Sequence, residues 1–383
     1  MADAIEAILG ETREAAARRV LARLRSYVEH ESPSGDHARC AALAERIAAD
    51  ARALGGIVDL LDAPEVGRHV RAEFAANKDA QPPLLVLGHL DTVHPVGTLA
   101  RQPFEAQNHR VCGPGIYDMK AGVALMLEAI GLLQRSGRKN ERRIVLLVTC
   151  DEEVGSHTGR PHIEAAARGA HAVLVPEPSL ADGSVKTSRK GVATYRLTAH
   201  GRAAHAGIEP EKGVNAVVEL AHQVIALQQI AAQFADGSIT VGTVSGGTAT
   251  NVVPALAAAS VDVRFATIAD GDQIDAALKR LAPHTPGSRI EIEQTDWRPP
   301  LERTPGVVAL YDRARALAAT LGMELGEGGT GGGSDGCLTA ALGVPTLDGL
   351  GPRGGGAHSV YEHVLIDDLP FRLAFYSHLL EQL

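Results

Sequence analysis

Apolar and polar positions follow two different periods along this chain. Apolar residues recur at helical spacing from Ala4 to Tyr27 and again from Ala38 to Leu54. After them come short apolar strand candidates at Val70–Phe74, Leu84–Leu87, Ile144–Thr149 and Ala172–Val175. The stretch MKAGVALMLEAIGLLQ, which opens at Met119, predicts a further helix. Apolar strands separated by helices predict an α/β unit with a mixed, mostly parallel sheet covered by helices. Ligands of such sheets bind beyond the carboxyl ends of the strands.

From about Thr187 the pattern changes. GVATYRLTAH (Gly191–His200) alternates apolar and polar residues, as a half-exposed antiparallel strand does. A helix is predicted near Asn215–Phe234, strands at Ser238–Val244 and Ala257–Phe265, and a helix at Gly271–Leu281. Strand, helix, strand, strand, helix, strand is a ferredoxin-like α+β order. The chain therefore reads as a first part of one domain over 1–186, an inserted domain over 187–297, and the second part of the first domain over 298–383. That last part is predicted to hold a helix near Gly306–Leu321, an apolar segment Val344–Leu347 and a final helix from Leu369.

At 383 residues the chain exceeds one ordinary core, in keeping with two domains. Its net charge of −9, without a basic block, argues against a nucleic-acid partner. Aromatic residues make up 3%, too few for base-stacking platforms. The four cysteines are widely separated, so neither a disulfide framework nor a thiolate zinc site is expected, and a cytoplasmic setting fits. The amino-terminal segment lacks the apolar core of a signal peptide, and no run reaches the ~20 apolar residues needed to span a membrane.

The chemistry gathers at the strand ends. GHLDTV (88–93), DEE (151–153) and PEP (176–178) each follow an apolar strand candidate directly. Asp118 in GIYDMKAG and His358 in AHS lie in loops. Taken singly, each has an ordinary reading: Asp118 as a helix N-cap, DEE as a solvated turn, His358 as one of sixteen histidines. Taken together, they put two imidazoles and several carboxylates at one sheet edge. That much negative charge in a cleft calls for cations. Nitrogen and oxygen donors without thiolate suit zinc or a similar divalent ion, and two histidines with three carboxylates suit two ions that share one carboxylate. Such pairs activate water for hydrolysis.

The motifs GHLDTV, GIYDMKAG, TCDEEVGS, PEP, AHAG, TGGGSD and AHS, in this order, resemble one di-zinc metallopeptidase family. It comprises glutamate carboxypeptidases, aminoacylases, acetylornithine deacetylases and succinyl-diaminopimelate desuccinylases. The resemblance spans nearly the whole chain and implies the zinc-peptidase-like fold with an inserted lid. It implies two Zn(2+) per subunit, with Co(2+) or Mn(2+) as substitutes. His89 and Glu177 would hold one ion, Glu153 and His358 the other, and Asp118 both. Glu152 would be the general base that takes a proton from a water bridging the zincs. Asp91, two residues beyond His89 on extended chain, would orient the imidazole and fix its tautomer. The resemblance also implies a cis peptide between Asp118 and Met119.

For the inserted domain, the resemblance implies a homodimer in which His205 crosses into the partner's site and polarises the scissile carbonyl, an oxyanion role. Asn251 would sit beside it, and Arg264 would grip a substrate carboxylate through its planar fork. Arg298 and the glycine loop at Gly332, Gly333 and Ser334 are further candidates for substrate binding. A nucleotide reading of that loop fails, because no Gly-Lys-Ser/Thr follows and no GxGxxG opens a βαβ unit. No G-x-S-x-G elbow supports a serine hydrolase.

Within the family, TGGGSD, the DVR strand end and Arg298 resemble the carboxypeptidase G type. The expected reaction is hydrolysis of the amide bond of N-acyl or peptidyl amino acids, with C-terminal glutamate released. N-acyl-amino-acid deacylation of the acetylornithine or succinyl-diaminopimelate type is the alternative, and a non-catalytic binding protein on the same fold is the remote one.

Overall fold

The computed structural model describes residues 2–76 and 81–383. The chain forms two compact units. The first comprises residues 1–188, 303–329 and 334–383, and the second comprises 189–302 together with 330–333. The second unit thus begins and ends a few residues later than the sequence pattern indicates. Reciprocal main-chain hydrogen bonds between Arg189 and Leu301 (3.0 and 3.1 Å) hold its two ends side by side. The bond from the Lys190 N–H to the Thr330 carbonyl (3.0 Å) brings in the short glycine segment.

In the first unit a six-stranded sheet runs in the order Ile57–Ala63, Gly67–Phe74, Ile144–Thr149, Leu84–His89, Ala172–Leu174, Thr346–Leu347. The first two pairings are antiparallel and the other three parallel. The central strands are buried on both faces by alternation. Leu84 and Val86 enter one core with Ile144, Leu146 and Val148, while Leu85 and Leu87 enter the other with Val145 and Leu147. This is why those runs are continuously apolar.

Some elements depart from the sequence pattern. The first predicted helix is two, Ala2–Leu9 and Arg13–Val28. Gly10 takes a φ of +67°, which a side chain resists, and the Thr12 hydroxyl caps the second helix by accepting from the Ala15 N–H. The edge strand Ile57–Ala63 has no apolar run to betray it, because it alternates exposed and half-buried positions. The helix after the glycine loop is only six residues, Gly336–Ala341.

The second unit is a four-stranded antiparallel sheet in the order Ser238–Gly246, Leu256–Phe265, Gly191–His200, Arg289–Arg298. Helices Ala216–Ala231 and Ile268–Lys279 connect its halves, so the ferredoxin-like order is present. Tyr195 and Leu197 of the sheet pack with Leu220, Leu227, Ile274 and Leu278 of the helices in one apolar core.

Candidate metal centre

Three parallel strands deliver their tips to one edge. His89 is the last residue of Leu84–His89 and is paired in register with Thr149. Glu152 and Glu153 lie in a short 3₁₀ turn just beyond Thr149. Glu177 follows the strand Ala172–Leu174 by three residues. Asp118 is carried by a distorted turn, Ile116–Lys120, that precedes the helix Ala121–Arg135. Its backbone is non-helical (φ −114°, ψ 96°), so it is not a simple helix cap. The Asp118–Met119 peptide is cis. Gly122 lets this helix meet the Pro176 carbonyl, where a Cβ would collide, and so brings the Asp118 turn beside Glu177. His358 projects from a loop with φ +63°, in the left-handed region that His adopts more readily than most residues.

The side chains converge. His89 Nε2 lies 3.3 Å from Asp118 Oδ1 and 3.4 Å from Glu177 Oε1. His358 Nε2 lies 3.4 Å from Asp118 Oδ2 and 3.3 Å from Glu153 Oε2. Each oxygen of Asp118 therefore faces a different histidine–carboxylate pair. Donor atoms of His89, Asp118 and Glu153 lie within 4.8 Å of one another.

A tautomer argument sharpens this picture. His89 Nδ1 is 3.0 Å from the Asp91 main-chain carbonyl, which can only accept, so Nδ1 carries a proton. In a neutral imidazole, Nε2 then presents a lone pair to two carboxylate oxygens. Lone pairs facing one another need a proton or a metal ion between them. Bonds of ~2.0–2.2 Å at tetrahedral angles place neighbouring donor atoms ~3.3–3.6 Å apart, the spacing seen here. The donors are all nitrogen and oxygen, and Glu153 Oε1 is buried without a hydrogen-bond partner. The residues fit a pair of divalent ions.

With protons in place of ions, the same contacts shift the titration of these groups. Burial works against ionised Asp118, yet hydrogen bonds from His358 and His89 hold its carboxyl well below the usual range. Burial likewise opposes charge on His89, but Asp118, Asp91 and Glu177 hold its pKa well above the ordinary imidazole value. The hydrogen bond to Asp118 pushes His358 up to about 9. Burial pushes Glu153 up to about 7.

Asp91 is fully buried and does more than its position two residues after His89 suggests. Its carboxylate Oδ1 is 3.5 Å from His89 Nδ1, whereas its main-chain oxygen is the closer acceptor. The carboxylate instead accepts from the main-chain N–H groups of Glu152 and Glu153, both at 3.2 Å, and from the Ser34 hydroxyl at 2.7 Å.

Two buried carboxylates beside the cluster were not singled out from sequence. Asp335 accepts from the Ser156 hydroxyl and, at 3.1 Å, from the Thr149 hydroxyl, tying down the turn that carries Glu152. Glu362 accepts from the main-chain N–H groups of Gly115, Tyr117 and Asp118. Neither has a sequence signal by itself, since both reach residues distant along the chain. The loops of the centre also carry exposed apolar side chains. Of seven exposed large apolar residues described in the first unit, Val93, Val96, Val154, Val360 and Tyr361 are on these loops.

In the second unit, His205 and Asn251 are neighbours. The Ala206 N–H donates to the Asn251 carbonyl (2.9 Å), and His205 pairs with Val252 in an isolated bridge. His205 is exposed, and its Nδ1 accepts from the Gly207 N–H at 3.2 Å, which leaves the proton on Nε2. Arg264 makes a two-bond contact with Asp262 (2.8 and 2.9 Å) and donates to the Gly331 carbonyl (3.2 Å). Arg298 is buried, with its stem against Gly333. The carbonyls of Gly332 and Gly333 accept from Arg189. In the first unit, Ser334 is fully buried, and its hydroxyl donates to Asp348 at 2.6 Å.

Residues 85–382 match the family described as Peptidase family M20/M25/M40. Carboxypeptidase G2 of Pseudomonas sp. (strain RS-16) is 34% identical over 308 residues, covering 78% of this chain and 74% of that protein. A succinyl-diaminopimelate desuccinylase of Methylorubrum extorquens (strain PA1) is 32% identical over 330 residues, covering 80% and 84%. Among solved structures, aminopeptidase PepT from Bacillus cereus ATCC 10987 superimposes with a TM-score of 0.77 at 22% identity, covering 95% of this chain and 98% of that one. The M20 family metallo-carboxypeptidase Sso-CP2 from Sulfolobus solfataricus does so with a TM-score of 0.74 at 17% identity, covering 94% and 98%. No helix among the described residues is long and apolar enough to cross a membrane. A family match across most of the chain and a cluster of histidine and carboxylate donors at the strand tips lead to one conclusion: the chain belongs to peptidase family M20/M25/M40 and is a metal-dependent hydrolase.

Proposed function

We propose that this enzyme is a di-zinc glutamate carboxypeptidase, hydrolysing the amide bond that joins an acyl or peptidyl group to a C-terminal glutamate. The observation that carries the two-metal part is Asp118, whose two oxygens each face a separate histidine–carboxylate pair. His89, Glu177 and Asp118 would hold one ion, and His358, Glu153 and Asp118 the other. When bound, such a pair supplies Lewis-acid polarisation and lowers the pKa of water.

The remaining steps belong to side chains. Glu152 is the general base. Its main chain is anchored to Asp91, while its neighbour Glu153 turns towards His358, so the adjacent carboxylates serve different ends. A Glu152 carboxylate oxygen takes the proton of the attacking water and returns it to the departing amide nitrogen. His205 donates from Nε2 to the scissile carbonyl oxygen as negative charge develops there, and the Gly207 contact sets the required tautomer. Arg264 binds the α-carboxylate, its fork oriented by Asp262, with Asn251, Arg298 and the glycines at 332 and 333 completing the substrate contacts.

The enzyme works as a homodimer, with His205 supplied by a second copy. Support comes from the second unit, whose edge strand exposes Val244 and whose helix Ala216–Ala231 exposes Val217, Val218 and Ile225. An unpaired strand edge beside an apolar helix face suits a self-complementary interface.

The likeness to carboxypeptidase G2 supports carboxypeptidase activity, and the preference for glutamate rests on the motifs TGGGSD and DVR and on Arg298. The desuccinylases, which match along more of their own length, support a second reading as an N-acyl-amino-acid deacylase. One acyl group placed on Glu, Asp, Lys, ornithine, diaminopimelate and Leu distinguishes them. The glutamate conjugate is expected to have the highest kcat/KM, and preference for diaminopimelate or ornithine overturns the carboxypeptidase reading in favour of the second.

A further inference from the structure

We propose that Glu362 is a positioning residue that sets the spacing of Asp118 and His358, and so the affinity of the ion these two hold with Glu153. The proposal rests on the two-metal reading above. Glu362 is fully buried, and its carboxylate gathers four donors. Oε1 accepts from the main-chain N–H groups of Tyr117 (2.7 Å) and Asp118 (3.0 Å), and Oε2 from that of Gly115 (3.0 Å). His94 Nε2 completes the set at 2.5 Å from Oε2. One carboxylate thus joins three loops: the segment after His89, the turn bearing Asp118, and the loop bearing His358.

The reason for an acidic residue here follows from desolvation. A fully buried carboxylate is costly unless its lone pairs are filled, and an apolar residue would be the simpler way to fill a core. Donors from two other loops offset that cost only when all three loops hold one arrangement. The carboxylate is therefore a geometric constraint. It acts unequally on the two ions. His89 ends a strand registered by ladder pairing on both sides, and Glu177 follows an adjacent strand. His358 has no such ladder and lies four residues from Glu362 in a loop. The Asp118 turn and the His358 loop meet through Glu362, so its loss falls mainly on the ion that needs both.

The test is calorimetric zinc titration of the metal-free protein with a competing chelator. The unaltered protein is expected to bind two ions. Glu362→Gln is expected to keep one affinity within about threefold and to weaken the other by roughly 10–100-fold, the usual effect of removing an outer-sphere partner. Adding the change to His358→Ala, which leaves the first ion, is expected to alter binding little. Adding it to His89→Ala, which leaves the second, is expected to reproduce the loss. A merely structural role lowers the melting temperature of the metal-free protein and leaves both affinities unaltered, and that result overturns the proposal, as does an equal loss at both ions. If Glu362→Gln does not fold, His94→Phe carries the test. It removes one donor and keeps three, so a smaller loss confined to the same ion supports the proposal, and an equal loss or none overturns it. Fewer than two ions on the unaltered protein overturns the two-metal reading itself.

Discussion

The main-chain N–H of Glu152 donates to the Asp91 carboxylate at 3.2 Å, across 61 residues of sequence. The same carboxylate receives the Glu153 N–H, while its own main-chain oxygen receives His89 Nδ1–H. One residue therefore fixes a histidine through its backbone and a pair of glutamates through its side chain. The strand tip and the 3₁₀ turn cannot move independently.

Glu152→Gln removes the proton acceptor and keeps the shape. Turnover should fall by about 10²–10⁴-fold or more, with metal content unaltered by elemental analysis. Retained activity would remove Glu152 from the role of base.

Asp91→Asn separates its two functions. The main-chain contact to His89 stays, whereas the amide nitrogen replaces one of the two oxygens that accept from Glu152 and Glu153 and leaves that N–H without its acceptor. We expect kcat to fall by roughly 10–100-fold, with a smaller change in metal content. Complete loss of both ions would show that the carboxylate serves His89 after all.

Chelation should abolish hydrolysis, and zinc should restore it, because Glu152 by itself lacks the lowered water pKa that bound ions supply. His89→Ala and His358→Ala should each leave one ion per chain. Hydrolysis that persists in chelator would reject metal dependence.

His205→Ala should lower kcat by about 10²–10³-fold, as loss of an oxyanion donor does. Mixing it with Glu152→Gln should regenerate activity, since a hybrid dimer pairs an intact base with an intact His205 from the other chain. Mixtures as inactive as their components would place His205 in its own subunit's reaction, or outside the reaction.

Glu219 makes the second unit sensitive to acid. Burial tends to raise its pKa, but donors from Gln223, Thr285 and His284 lower it to about 2 from the ordinary 4.5. A lowered pKa stabilises the fold above the unfolded value. That stability should drain away as pH falls from about 4.5 towards 2. Glu219→Ala strands the His284 and Thr285 N–H groups and should cost roughly 2–4 kcal/mol at neutral pH. Acid melting curves of the two proteins should converge at the low end of that window. An undiminished difference at pH 2 would refute the assignment.

Much of this protein was legible in its sequence. The apolar runs Leu84–Leu87 and Ile144–Thr149 announce strands buried on both faces, since both faces of each enter an apolar core. The position of GHLDTV, DEE and PEP directly after such runs announces their meeting at one edge, because parallel strands align their carboxyl ends. Local pattern also reveals the helix Pro305–Thr320 and the ferredoxin-like order of the second unit.

Only the tertiary structure decided how those residues are held. Which oxygen of Asp118 faces which histidine depends on a distorted turn, and the approach of that turn to Glu177 depends on Gly122. That the Asp91 backbone orients His89 while its side chain anchors Glu152 depends on hydrogen bonds between remote segments. Glu362, in a loop without apolar periodicity, gains meaning only from the two other loops folded around it. Periodicity records which face of an element is buried, and residue type records which chemistry is available. Neither records which donor meets which acceptor, because that contact forms only when the chain closes on itself.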